Sequence, residues 1–207
     1  MAITGARFRH ALAPPPLLRA GGIWVVGAGH QDKRGGDAAF ADARTEQPAL
    51  IRISSGCSRF AVDGGRPTAL AAGSVAVLMP GHRYSYGPDP RCREQWVMFE
   101  GPLVEAFAAA GVLAADRPVR RPRDRRLGAA WRRMVEAFAA GGPRAGALAT
   151  AALIEVLHRL AEAPEGEDAD DLAERAVALI QADPSAPWSM HGLAARLGVS
   201  VHRLRRR

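Results

Sequence analysis

Cysteine and aromatic residues are scarce in this chain of 207 residues, which has two cysteines and 6% Phe, Trp and Tyr. Cys57 and Cys92 stand alone without a CxxC partner, so their spacing indicates neither a zinc site nor a disulfide framework. Free cysteines of this kind are most often packed in a core. We therefore expect two structural thiols, and the sequence predicts no cofactor.

Long apolar runs are missing as well. No stretch of about 18 consecutive apolar residues occurs, and the N-terminal region lacks the apolar segment of an export signal. The hydrophobic content of 48% is nevertheless ordinary for a globular protein with a buried core. These features favour a cytoplasmic protein that does not span a membrane.

Acidic residues are outnumbered, because 21 Asp and Glu stand against 28 Lys and Arg, for a formal net charge of +7. A basic protein attracts nucleic acid and anionic surfaces without any implied sequence preference. Arginine supplies nearly all of the positive charge, which a bias in the coding DNA can explain. The composition therefore permits nucleic-acid binding without establishing it.

The first half of the chain is broken into short apolar runs separated by glycine, proline and aspartate. The segment Asp63-Gly64-Gly65 is typical of a hairpin turn, because glycine reaches positive φ without strain. Short strands about ten residues apart predict an antiparallel barrel or a double-sheet jelly roll, in preference to alternating βαβ units. The predicted strands are 23–26, 50–54, 59–62, 68–71, 74–79 and 95–99.

After residue 99 the pattern becomes helical. A short helix is predicted over 103–110, and a longer one from Pro143 to Leu160, with Leu148 on its apolar face. Packing against the barrel is the ordinary explanation of that face. Pairing of two copies through these helices, to form a homodimer, is an additional hypothesis.

The end of the chain, residues 188–207, has the pattern of two short helices joined by a turn. Ser189 and Ser200 are candidate N-caps, and apolar residues at i, i+3, i+4 and i+7 give the first helix one apolar face, formed by Met190, Leu193, Ala194 and Leu197. This pattern predicts a helix-turn-helix with a basic second helix. An ordinary αα-hairpin with a solvated basic end is the alternative. The candidate DNA contacts are Ser200, His202, Arg203, Arg205 and Arg206.

Together these motifs resemble an AraC/XylS-type transcriptional regulator over nearly the entire chain. Residues 172–206 are similar to the family pattern of a long helix followed by the first of two helix-turn-helix units, and residues 70–101 (LAAGSVAVLMPGHRYSYGPDPRCREQWVMFEG) to its sugar-sensing barrel segment. The resemblance implies an α+β fold with an N-terminal cupin-like (jelly-roll) β-barrel. The expected domains are an effector-binding barrel with an N-terminal arm (1–102), helices for packing and dimerisation (103–163), a linker (164–170) and a partial all-α helix-turn-helix domain (171–207).

The same resemblance implies a regulator that holds a small-molecule effector, a sugar in some members, inside the barrel and binds DNA as a homodimer. Tyr84 matches the position of the family's PHxY histidine, Tyr86 matches the family tyrosine, and Arg44 matches the arginine that contacts ligand in sugar-binding members. A phenol can hydrogen-bond a sugar hydroxyl, but it lacks the titration of an imidazole. Ordinary surface or rim packing is the alternative for all three residues.

The chain departs from the family pattern where it stops, at Arg207, inside the first recognition helix. The family pattern continues with a second helix-turn-helix. We therefore expect a regulator truncated within the first unit, with weak or incomplete DNA binding.

Two competing functions remain from the sequence. One is a ligand-sensing or dimerisation protein that does not bind specific DNA, and the other is a small cupin-type enzyme. Of the six histidines, only His30 and His82 lie in or beside predicted strands, and no HxH pair occurs. The sequence therefore predicts neither a metal site nor an enzyme.

Overall fold

The computed structural model describes residues 7–10, 16–34, 40–142, 144–164, 176, 180, 187–197 and 199–205. The chain divides into two compact units, residues 1–165 and 166–207. Of the linker expected over 164–170, residues 165–170 lie outside the described residues.

Within the described residues, eight strands form one antiparallel hydrogen-bonded sheet. They are β1 (Arg7–His10), β2 (Trp24–Arg34), β3 (Phe40–Ala43), β4 (Ala49–Val62), β5 (Thr68–Ala71), β6 (Val75–Leu78), β7 (Tyr84–Glu100) and β8 (Val119–Arg120). The main strand order is β1-β2-β7-β4-β6-β8, while β3 pairs with β7 and β5 pairs with β4.

The two longest strands, β4 and β7, change partners along their length. β4 pairs with β6 through residues 49–52 and with β5 through residues 57–60. β7 pairs with β3 near its start and with β2 from residue 91 to residue 100. The sheet is thereby folded into the cupin-like jelly roll that the sequence predicts. The prediction split β4 into 50–54 and 59–62, whereas the structure has one strand, because register shifts near Ser55 and Gly56 bend it without ending its pairing.

Buried side chains form separate clusters on the two faces of this sheet, because successive residues of a strand point to opposite sides. Leu50 packs with Val97 and Phe99 on one face, where the helices lie. Ile51 points to the other face, into the interior of the barrel. We name the interior group the barrel cluster, which comprises Ala49, Ile51, Ile53, Phe60, Leu70, Ala76, Leu78, Tyr84, Tyr86, Cys92 and Trp96.

The described residues of this unit form four helices: α1 (Pro16–Ala20), α2 (Leu103–Ala109), α3 (Leu127–Ala140) and α4 (Ala145–Glu162). Trp131 of α3 and Leu153 of α4 are fully buried against the sheet. The buried Arg120 guanidinium donates to the carbonyl oxygens of Val112 at 3.2 Å and Leu160 at 3.0 Å, which ties β8 to the end of α4. The sequence predicts Leu148 on the apolar face of α4, and the structure leaves its side chain 59% exposed because it lies off the buried stripe.

The C-terminal unit contains α5 (Met190–Arg196) and α6 (Val201–Arg205). The predicted cap of α5 is confirmed, because the Ser189 hydroxyl accepts a hydrogen bond from the Gly192 amide at 3.0 Å. Ala176, Leu193 and Leu197 form a small buried cluster, and Trp188, Val199 and Leu204 pack against it. Met190, predicted on the same apolar face, is 38% exposed. None of the helices in the described parts of the chain is long and apolar enough to cross a membrane.

Candidate functional site

Four polar side chains meet in the otherwise apolar interior of the barrel, and we name them the Glu94 network. Strands β2 and β7 position them, because Gln31 lies opposite Glu94 in the register and Lys33 lies opposite Cys92. All four side chains are buried, with exposed fractions of 7% for Gln31, 5% for Lys33, 3% for Tyr86 and 1% for Glu94. The interior is therefore not a uniform apolar core.

The Glu94 carboxylate is the centre of this network. Its Oε1 accepts a hydrogen bond from Gln31 Nε2 and forms an ion pair with Lys33 Nζ at 3.1 Å, while its Oε2 accepts a hydrogen bond from the Tyr86 hydroxyl. A buried carboxylate is costly unless it is paired and hydrogen-bonded. Two hydrogen-bond donors and one cation meet that requirement here.

Lys33 is the one lysine among the 28 basic residues of the chain. Its Nζ lies 4.5 Å from the centroid of the Tyr86 ring and 5.8 Å from that of Phe40, and the two rings stack with centroids 5.3 Å apart. An ammonium is compact, whereas a guanidinium is planar and wider. The enclosed space between the carboxylate and the two rings accounts for a lysine at this position in an arginine-rich chain.

The side-chain oxygen of Gln31 is a hydrogen-bond acceptor inside the barrel that has no partner among the described residues. Its Nε2 must face Glu94, because a carboxylate accepts hydrogen bonds and does not donate them, so the amide orientation is fixed. Gln31 Oε1 is then buried with no hydrogen-bond partner among the residues that the structure describes. An unpaired buried acceptor costs about 1–3 kcal/mol. A hydrogen-bond donor brought to this oxygen would offset that cost.

Two other titratable groups of the barrel interior, Tyr86 and Cys92, are held neutral. Burial, with a contribution from the Glu94 charge, raises the pKa of Tyr86, so its hydroxyl remains a donor at ordinary pH. Burial also raises the pKa of the Cys92 thiol, whose Sγ lies 3.8 Å from the Tyr86 hydroxyl. Cys92 therefore packs as a neutral group, whereas Cys57 is partly exposed.

The predicted ligand contacts are distributed over three environments. The Tyr84 hydroxyl donates to the carbonyl oxygen of Met79 at 2.8 Å and accepts from the Met79 amide at 2.6 Å. Both of these hydrogen bonds are made to the backbone of the barrel. Tyr86 belongs to the Glu94 network. Arg44 is exposed just after β3 and joins neither tyrosine. Contact of these three residues with a ligand stays a prediction.

The predicted DNA contacts lie at α6. Ser200 precedes the helix and is exposed, as are His202 and Arg205. Arg203 lies in the helix, but its side chain is outside the described part of the structure, and so is Arg206. Their contact with DNA also stays a prediction.

Sequence reasoning missed Gln31, Lys33 and Glu94. The signal available in the sequence was that Gln31 and Lys33 lie two positions apart, as side chains on one face of a strand do, and that Lys33 is the single lysine of the chain. That signal becomes meaningful only through the pairing of β2 with β7, which joins residues 63 positions apart.

A cavity of about 340 Å³ lies where β2, β4 and β7 come together. It is lined by Asp32, Lys33, Arg34, Ser55, Gly56, Arg91, Cys92 and Arg93. Arg44, Tyr84 and Tyr86 do not line it. No group of three or more His, Cys, Asp and Glu side chains suited to a metal ion occurs within the described ranges.

Comparison with known proteins gives one family match. Among solved structures, the chain is similar to unsaturated fatty acid bound ToxT from Vibrio cholerae, with 12% identity, 88% of this chain and 72% of that chain covered, and a TM-score of 0.43. It is also similar to a cupin superfamily protein from Desulfitobacterium hafniense, with 10% identity, coverage of 47% and 80%, and a TM-score of 0.33. No curated protein matches significantly.

The family model matches residues 30–157 and is described as the AraC-like ligand binding domain. The matched segment begins in β2 and ends in α4, so it includes the Glu94 network. It covers more than half of the chain, and the protein therefore belongs to the AraC-like ligand binding domain family.

Proposed function

We propose that this protein is a non-catalytic regulator whose barrel binds a hydroxyl-bearing small molecule, such as a sugar, at the Glu94 network. The observation that carries the proposal is the open acceptor, Gln31 Oε1, buried beside a fixed carboxylate and a fixed ammonium. Ligand sites are mostly apolar, with a few placed polar groups that fix orientation. The barrel cluster and the Glu94 network have that composition.

The energetics favour a binding role over a purely structural one. A buried ion pair can usually be replaced by apolar residues of similar volume without loss of stability. A network that also leaves an acceptor unpaired is more costly still. A ligand hydroxyl that donates to Gln31 Oε1 would remove this cost.

The proposal extends to pairing of two copies through α3 and α4. Leu148 lies on α4 with an exposed fraction of 59%, away from the buried stripe. Leu148→Glu should lower the molar mass that light scattering measures for the full chain. Ala72→Glu, at an exposed position between β5 and β6, is the control for an added charge. An unchanged molar mass in Leu148→Glu would contradict pairing through this face.

The proposal also includes binding of DNA by the helix α6. Its exposed His202 and Arg205 provide donors for phosphate and base acceptors, and α5 supports it through the buried Leu193. Selection from a random-sequence DNA library with the full chain should enrich one sequence. Arg205→Ala should weaken that binding more than Arg19→Ala, which removes an exposed arginine from α1. Equal retention of all sequences would contradict specific binding and leave a ligand-sensing protein that does not read DNA.

Ligand binding is tested by a melting screen of the full chain against pentoses, hexoses and polyols. We expect at least one of them to raise the melting temperature, because a ligand that binds only the folded state stabilises it. Gln31→Met should weaken the binding of that compound about five- to tenfold, as expected for one lost hydrogen bond.

Gln47→Met is the matched control, since Gln47 lies between β3 and β4, outside the Glu94 network. Equal affinities of Gln31→Met and Gln47→Met would contradict the assignment of Gln31. The absence of any stabilising compound would contradict the proposed ligand class.

A further inference from the structure

Arg52 holds a partly buried guanidinium where β4 meets the start of α3. Its Nη1 donates to Gln95 Oε1 at 2.9 Å, and its Nη2 lies against Gly128 in the first turn of α3. A Cβ added at Gly128 would lie 2.9 Å from Nη2, so a side chain at this position would meet the guanidinium. The Gln95 amide is neutral, and its hydrogen bond therefore leaves the charge of Arg52 uncompensated.

Arg132 brings a second guanidinium toward the same place. It follows Gly128 by four residues, so the two positions lie on one face of α3. A helical side chain covers the turn that precedes its own Cα, which directs Arg132 toward Gly128 and Arg52. Burial, followed by the charge of Arg132, lowers the pKa of Arg52. The two arginines are therefore close enough to repel each other.

Neither of these two guanidinium groups forms a salt bridge with a carboxylate among the residues that the structure describes. Glu136 follows Arg132 by one helical turn, but the two form no ion pair within those residues. The carboxylates of Asp124 and Glu155 are engaged elsewhere, because each accepts a hydrogen bond from Arg159 at 2.8 Å. Two like charges thus remain side by side without a negative partner in the described parts of the chain.

The surroundings of the two arginines suit an oxyanion. A guanidinium only donates hydrogen bonds, so Gln95 must turn its oxygen to Arg52, which leaves its amide nitrogen as a further donor. Arg52 and Gln95 are opposite each other in the β4–β7 register, while the adjacent Ile51 and Ile53 point into the barrel cluster. Because neighbouring residues of a strand point to opposite faces, the arginines lie on the helix-covered face of the sheet, away from the Glu94 network.

We propose that Arg52 and Arg132 together bind the phosphate monoester group of a small metabolite. A phosphate monoester carries about −1.5 to −2 charges at pH 7, which matches two guanidinium groups, whereas a carboxylate or a phosphodiester carries one charge. Guanidinium groups present N–H donors in a planar fork that fits phosphate oxygens. The bound group would convert the repulsion between the two arginines into two charge-assisted interactions.

The test is isothermal titration of the full chain with inorganic phosphate, against sodium chloride of matched ionic strength. We expect saturable binding, weakened about tenfold in Arg52→Gln and in Arg132→Gln. Arg133→Gln is the matched control, because it removes an equal charge from the next position of α3, where Glu155 already forms an ion pair. This variant should bind phosphate like the wild type. Gln31→Met should do so as well, which separates this site from the ligand site proposed in the barrel.

Acetate and dimethyl phosphate test the ligand class, since each carries one negative charge, and both should bind more weakly than inorganic phosphate. Equal binding of either one would overturn the assignment to a phosphate monoester. Failure of phosphate to bind beyond the chloride control, or equal weakening in Arg132→Gln and Arg133→Gln, would overturn the site itself. Folding is checked by melting without ligand, where Arg132→Gln should be at least as stable as the wild type because it removes a charge repulsion at an exposed position.

Discussion

Replacing Lys33 with methionine removes the cation of the Glu94 network and keeps most of the side-chain volume. Glu94 is 1% exposed, so its carboxylate would remain buried with Gln31 and Tyr86 as its donors. Breaking a buried ion pair on one side typically costs about 3–5 kcal/mol. The loss of the ammonium contact with the Tyr86 ring adds to this cost. We therefore expect the free energy of unfolding of Lys33→Met to fall by about 3–5 kcal/mol.

The assay is urea unfolding of the full chain at pH 7, followed by circular dichroism and by fluorescence so that the two units can be distinguished. The double variant Lys33→Met, Glu94→Leu should lose less stability than Lys33→Met alone, because no unpaired charge then remains in the barrel. Arg19→Met removes a cation from an exposed helix position and should change stability little. A loss below about 1 kcal/mol in Lys33→Met, or a double variant as unstable as the sum of its single variants, would mean that Lys33 and Glu94 do not form a stabilising ion pair.

Three further outcomes follow from particular contacts. Tyr84→Phe removes both bonds of its hydroxyl to the backbone and should lower the free energy of unfolding by about 1–2 kcal/mol in urea, whereas unchanged stability would mean that these bonds are weak. A thiol reagent should modify the partly exposed Cys57 faster than the buried Cys92 in the folded chain, as measured with each cysteine replaced by serine in turn, and equal rates would contradict their burial. The Arg159 guanidinium lowers the pKa of Asp124 from its ordinary 3.8, so this pair stabilises the fold above that pH and the stabilisation is lost as the pH falls through the lowered value. The difference in melting temperature between the wild type and Asp124→Asn should therefore shrink from pH 7 to pH 3, and a difference that grows toward pH 3 would show the opposite sign.

Much of the fold could be predicted from the sequence because the signals for these strands and helices are local. Glycine turns and short apolar runs mark strands, and the Ser189 cap marks the start of a helix. The bend of β4 could not be predicted in the same way. A bulge keeps a strand paired through residues such as Ser55 and Gly56, which in sequence look like a strand end.

The candidate site was less predictable than the fold. Family resemblance identified Tyr86, because its motif is contiguous with the barrel strand that carries it. Gln31, Lys33 and Glu94 acquire their role from strand pairing across 63 positions, which no local pattern encodes. Leu148 shows the same limit in a helix, because periodicity gives an apolar face but not the part of that face that is covered.

Gln31 Oε1 is proposed to accept a hydrogen bond from a hydroxyl group of the bound ligand. A crystal structure of the full chain with the sugar or polyol that most raises its melting temperature would locate that hydroxyl group. We expect a ligand hydroxyl within about 3 Å of Gln31 Oε1, inside the barrel and next to the Tyr86 ring. A ligand seated elsewhere, with Gln31 Oε1 still unpaired, would contradict it.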